Sequence, residues 1–251
     1  EFRRVLFRSQ PDNYNEASST FFESIVTNEG SIDNAILFDS HQKDHPIGIT
    51  HEILHNFGLT DLYGTDQSPG QLSIMDGGFS NLMNYEKAVL GWFDPAQISC
   101  LTYEAALNTN IVSNTLSINN LEKDSITLIK TPGNNAYILE VQHNQNIPFL
   151  YFYEIRQEAR PPIRMYVKAD SNEFGYNLDE VRSIGGRFVA QNFDLVLNNI
   201  EQNQLTLSFI PHALIGSEET KSLLQNIKNI QETKEAAAEK AAAANKTAMK
   251  L

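Results

Sequence analysis

The sequence predicts an α+β protein in which a helical segment built to hold a metal ion is followed by an all-β, sandwich-like domain and a C-terminal helix. Three observations carry this. His51 to Asp61 reads HEILHNFGLTD, with its two histidines at helical spacing. Strand-like runs separated by Pro, Gly and Asn turns fill 99–212, and 217–251 lacks Pro and Gly while being rich in Ala, Lys and Glu. The expected organisation is a non-native start at 1–9, a zinc-site region at 10–98, a β-rich domain at 99–212 and a helical tail at 213–251.

EFRRVLFRS, the first nine residues, lacks the apolar core of a signal peptide and resembles translated sequencing adapter, so it is expected to be foreign, with the natural protein beginning earlier. Residues 10–30 read as loop and a short helix presenting Phe21, Phe22 and Ile25. Ala35 to Asp39, AILFD, suits a buried strand, and Pro46 suits the first turn of the helix that follows. His41 and His45 also stand four apart. They straddle a polar turn, however, and the second precedes proline, so a solvated loop is expected there rather than a second metal site.

The chemistry is carried by the next helix. Residues four apart share a helical face, so His51 and His55 can aim their imidazoles at one ion while Glu52, one step round, faces the water that the ion acidifies to a pKa of about 7. Zinc then needs a third protein ligand from beyond the helix. Gly58 stands where the helix should stop, and its tolerance of positive φ would let the chain turn and return the carboxylate of Asp61 to the metal. HExxH alone is a weak signal, but here it continues as HExxHxxGxxD, a metzincin pattern with aspartate in place of the last histidine. Met75 in SIMDGG precedes Gly77 and Gly78, which suit a tight turn and give the methionine the place of an apolar floor beneath the histidines.

GITHEILHNFGLTDLYG, SIMDGG and YEKAVLGWFDPAQI together resemble the M6 peptidase family, the immune inhibitor A type of secreted bacterial metalloprotease, which is metzincin-like. The resemblance is dense from Pro46 to Ile98, looser through AYILEVQ and FLYFYEIRQ, and fades beyond. It implies zinc ligands at His51, His55 and Asp61, a general base at Glu52 and a Met-turn at Met75. It also implies that the zinc-site region is the C-terminal part of a metzincin-like catalytic domain, truncated at its N-terminal side, and that the protein is secreted or on the cell surface. Thr60 departs from the family, which commonly has proline there; this loosens the loop that carries Asp61 but removes no ligand.

Asn81 to Trp92 reads as a second helix ending at Gly91, with Ser80 or Asn81 as cap. Tyr63 and Tyr85 could hydrogen-bond a substrate carbonyl or a ligand, but each is expected to be a packed aromatic with its hydroxyl satisfied, outside the site. Asp66 and Asp76, each near glycine, could hold calcium, but no full calcium-loop pattern is present and turn-forming aspartates need no ion. In the β-rich domain NQLTLSF alternates Leu205, Leu207 and Phe209 with Gln204, Thr206 and Ser208, as a sheet with one wet face requires. In the tail Leu223, Leu224, Ile227 and Ile230 form a short apolar stripe, and the alanines beyond have little to bury, so a spacer or frayed terminus is expected.

A formal charge of −12, from 19 basic and 31 acidic residues, argues against nucleic acid or an anionic membrane as partner, and the sequence contains no membrane-spanning stretch. The single cysteine, Cys100, excludes an intramolecular disulfide and is expected to be a buried small hydrophobe. These readings converge on a zinc endopeptidase with one catalytic Zn2+ and protein or peptide substrates, held as extended strands along a sheet edge. The alternative is a metal-stabilised, non-catalytic surface or adhesion module, against which the intact Glu52 speaks.

Overall fold

Pro46 opens the helix α1, Pro46–Asn56, where its fixed φ and missing N–H cost nothing, and Gly58 at φ 96 closes it. The computed structural model describes residues 7–10, 19–21, 25–27, 30–32, 35–39, 46–77, 81–102, 114–119, 121–131, 133–156, 158–159, 161–171 and 173–248. The chain forms two units, Glu1–Trp92 and Phe93–Leu251. Phe93 is buried and the 3-10 turn Pro95–Gln97 runs directly into a strand, which puts the boundary a little before the expected one near residue 98.

In the first unit five short strands precede α1: β1 Phe7–Gln10, β2 Ser19–Phe21, β3 Ile25–Thr27, β4 Gly30–Ile32 and β5 Ala35–Asp39. AILFD is the strand expected, and it is central: β1 pairs with it in parallel and β2 antiparallel, giving the order β1-β5-β2. Part of the start set aside as foreign therefore joins this sheet. Between residues 19 and 32 the described residues are strands, β3 and β4 forming a hairpin, and not the short helix that the apolar spacing of Phe21 and Ile25 suggests. Three residues per strand are too few for periodicity to separate the two conformations. His41 and His45 lie outside the described residues. After α1, the 3-10 turns Gly70–Leu72 and Ile74–Asp76 lead to the helix α2, Asn84–Val89. This second helix is shorter than Asn81–Trp92 because Leu82 and Met83 enter the core in extended chain, with Met83 at ψ 152 just ahead of it.

The second unit is a β-sandwich with a helix on its flank. Its strands are β6 Ile98–Thr102, β7 Asn114–Asn119, β8 Ser125–Lys130, β9 Asn135–Asn144, β10 Ile147–Arg156, β11 Ile163–Met165, β12 Tyr176–Asn177, β13 Arg187–Val189, β14 Phe193–Glu201 and β15 Gln204–Pro211. One sheet runs β11-β10-β9-β8-β6, with β12 also on β10, and the other runs β13-β14-β15-β7. β9 and β10 form the longest pairing, closed by Gln145 at φ 51 and Asn146 at φ 67, the two positive values that match a tight hairpin to strand twist. Between the sheets lie Ile129, Leu139, Val141 and Phe152 from one side and Phe188, Leu195, Leu207 and Phe209 from the other, with offset and tilted aromatic contacts such as Phe152–Tyr166 at 4.9 Å and Phe193–Phe209 at 5.3 Å.

The helix α3, Glu218–Ala248, starts where Ser217 accepts the Thr220 N–H at 3.1 Å. Ile227 is buried against Ile184, Val196 and Ile210, with Leu223 and Ile230 beside it. Leu223, Ile227 and Ile230 of the apolar stripe thus dock on the outer face of β14 and β15, while Leu224 is exposed. That contact accounts for a departure from the alternating pattern: Ser208, expected on a wet face, is buried, as is its cross-strand partner Val196, which packs with Ile227. The alanine-rich half beyond is exposed, as a spacer would be. Cys100 is exposed on β6, not buried, because β6 is an edge strand that pairs only with β8 among the described residues. No described helix is long and apolar enough to cross a membrane.

Candidate metal centre

The end of α1 is a two-bond helix stop. Gly58 N–H donates to His55 O at 2.9 Å and Leu59 N–H to Leu54 O at 3.2 Å, the paired arrangement that a glycine at positive φ permits. Leu54 and Leu59 are both buried, anchoring the reversal. The reversal delivers the Leu59 carbonyl to His55 Nδ1 at 2.8 Å, while the Ile74 carbonyl meets His51 Nδ1 at 2.9 Å. A carbonyl only accepts, so each ring carries its proton on Nδ1 and, in the neutral form, a bare lone pair on Nε2.

Those two Nε2 atoms stand 3.1 Å apart, and Asp61 Oδ1 lies 3.0 Å from one and 3.2 Å from the other. With both rings neutral, three electron-pair donors face each other at contact distance, an arrangement that a cation among them would satisfy. Donors held about 2.0–2.1 Å from a tetrahedral zinc are about 3.3 Å apart, close to the spacings seen. The donor set, two imidazoles and one carboxylate, is also one that zinc takes. The residues fit the ion that the spacing predicts.

Glu52 is buried, at 6% exposure, and its carboxylate lies within 4.8 Å of the imidazole donors. Asp61 Oδ1 contacts both rings and is more open, with its side chain 44% exposed. The two carboxylates thus differ in environment, Glu52 buried and Asp61 open, and His51, Glu52 and His55 also form a group that could hold an ion. Met75 is fully buried in the 3-10 turn Ile74–Asp76, which ends at Gly77 with φ 76 and lies against α1. His51, Glu52, His55, Asp61 and Met75 are all brought to one end of α1. Asp76 accepts a hydrogen bond from Gly70 N–H and Asp66 is exposed, so both behave as turn and surface residues.

Three groups that sequence reasoning left out also belong here. The Tyr63 ring stacks on His51, centroids 6.3 Å apart and 22° from parallel. Partial burial, then the charge of Asp61 and a hydrogen bond to it, raise the Tyr63 phenol above its ordinary range, so it stays a neutral donor beside the carboxylate. Ser73 and Glu86 are both buried; the Ser73 hydroxyl donates to the Glu86 carboxylate and accepts the Met75 N–H. A glutamate just inside a helix start was the available signal for Glu86. Tyr63, expected to be a packed aromatic, is instead 56% exposed beside the candidate site.

Gly58→Ala is expected to destabilise the first unit by about 1–2 kcal/mol, a purely backbone cost, because no atom lies within 4 Å of the added Cβ but φ must stay at 96. Gly58→Asn should lose less, since asparagine tolerates that conformation better. Denaturant titration of the three proteins ranks them, and equal midpoints would remove the strained turn from the account.

Comparison with protein-family models, with curated proteins and with solved structures finds no match to this chain.

Proposed function

We propose that this chain carries the site of a zinc-dependent endopeptidase, with His51, His55 and Asp61 holding one ion and Glu52 as general base. The observation that carries the reading is the contact of three lone-pair atoms, with both distal imidazole nitrogens locked on backbone carbonyls and a buried carboxylate alongside. Bound there, zinc would supply Lewis-acid polarisation of a scissile carbonyl and acidify the attacking water.

The remaining work falls to the chain. Glu52 takes the proton of the attacking water and delivers it to the leaving amine nitrogen, which suits a buried carboxylate within 4.8 Å of the imidazole donors. Leu59 and Ile74 carbonyls hold the imidazoles in one tautomer and orientation throughout. Met75 fills the turn against α1 and keeps water out of it. An extended substrate has a place to bind: β2 pairs only with β5 among the described residues, and α1 lies against β2, so a peptide strand can add at that outer edge.

Metal analysis of the purified protein, with hydrolysis of an unfolded protein substrate measured before and after chelation, tests the reading. One zinc per chain and chelator-sensitive cleavage are expected. Zinc without cleavage would favour the metal-stabilised surface module, and no zinc would overturn both.

A further inference from the structure

Glu86 is a buried carboxylate, 3% exposed, that the hydrolytic chemistry does not use. Its simplest role is to cap α2, where it accepts the Met83 N–H at 2.8 Å. Yet α2 has six residues, and a capping carboxylate needs neither deep burial nor a second partner. Glu86 has one. The Ser73 hydroxyl, from a separate turn thirteen residues earlier, donates to both carboxylate oxygens at 2.9 and 2.8 Å. That same Ser73 oxygen accepts the Met75 N–H at 3.0 Å.

The turn held in this way supports both arms of the metal centre. Its Ile74 carbonyl receives His51 Nδ1 at 2.9 Å, and its Met75 carbonyl receives the N–H of Leu62, the neighbour of Asp61, at 2.9 Å. Asn81 O accepts the Ile74 N–H at 2.8 Å, closing the turn from the side of α2. A hydrogen-bonded path therefore runs from the Glu86 carboxylate through Ser73 to the two carbonyls that aim His51 and steady the Asp61 loop. Charge-assisted bonds are about twice as strong as neutral ones, which is a physical reason for a carboxylate at the root of the path.

We infer that Glu86 is a positioning residue of the metal centre, fixing the orientation and tautomer of His51 and the loop of Asp61 through Ser73 and the Ile74–Met75 turn. This rests on the reading of His51 and Asp61 as ligands, but its first readout does not need the ion. In the metal-free protein, long-range proton–nitrogen NMR reports which His51 nitrogen bears hydrogen. Wild type should show Nδ1–H, and Glu86→Gln and Ser73→Ala should show mixed tautomers. With zinc, chelator competition should show both variants about 10–100-fold weaker than wild type, as is usual when a group supporting a ligand is removed.

Leu82→Ala, which removes a buried side chain outside the path, is the control for packing loss and should keep the wild-type tautomer and an affinity within about twofold. Should Glu86→Gln fail to fold, Ser73→Ala, which deletes one oxygen, carries the test alone. Unchanged tautomer and affinity in the path variants, or an equal loss in Leu82→Ala, would overturn the inference. A wild type that binds no zinc but loses its single His51 tautomer on Glu86→Gln would instead sink the peptidase reading and leave the positioning role standing.

Discussion

Glu52→Gln is expected to keep one zinc per chain and to lose hydrolysis by about a hundredfold or more, the usual size of a general-base contribution. The expectation follows from where the two carboxylates stand. Asp61 Oδ1 touches both Nε2 atoms and is half-open, whereas Glu52 is buried within 4.8 Å of them. Glutamine has the same shape and cannot take a proton from water, so the variant separates proton transfer from metal holding. Metal content and turnover of the purified variant, measured on one sample, decide the matter. Loss of zinc together with turnover would make Glu52 a ligand and leave the base unassigned.

Asp61→Ala should weaken zinc binding by more than about a hundredfold, beyond the range typical of supporting groups, while Asp66→Ala should leave it unchanged. Only the former contacts the imidazoles; the latter is an exposed residue of the following loop. The substitution also leaves two imidazole lone pairs facing each other without the carboxylate that completes an ion's coordination. Competition against a chelator of known affinity ranks the two variants. Equal affinities would remove Asp61 from the centre and point to Glu52 as the third donor.

The site was legible in sequence because its geometry is mostly local. Helical spacing alone sets His51 over His55, and one glycine with positive φ accounts for the return of the chain towards Asp61. The supporting groups were not legible. Ile74 and Leu59 act through backbone carbonyls, which any residue possesses, and Glu86 acts on Ser73 across a turn that sequence does not foretell. The same division holds for the fold. SITLIK, AYILEVQ and NQLTLSF are strands as their composition requires, but which faces are wet depended on where α3 docks, a tertiary fact that left Ser208 buried against expectation. Near the N-terminal end, strands of three residues carried too little pattern to be told from a helix.

The cluster of bare donors at the end of α1 bears on the energetics of folding as well as on chemistry. Bringing two imidazole lone pairs and a carboxylate to 3.0–3.2 Å costs free energy in the ion-free chain, and an ion that binds the folded arrangement alone returns it by mass action, about 4 kcal/mol at a thousandfold excess over its dissociation constant. The described core of Glu1–Trp92 is modest, with Leu54, Leu59, Leu62, Met75, Leu82 and Met83 buried, while Phe93–Leu251 has a large sandwich core of its own. Metal supply is therefore expected to raise the thermal transition of the unit that carries the site, read by calorimetry with and without chelator. The ion would be a structural member of that unit, so that scarcity of metal would expose it to proteolysis.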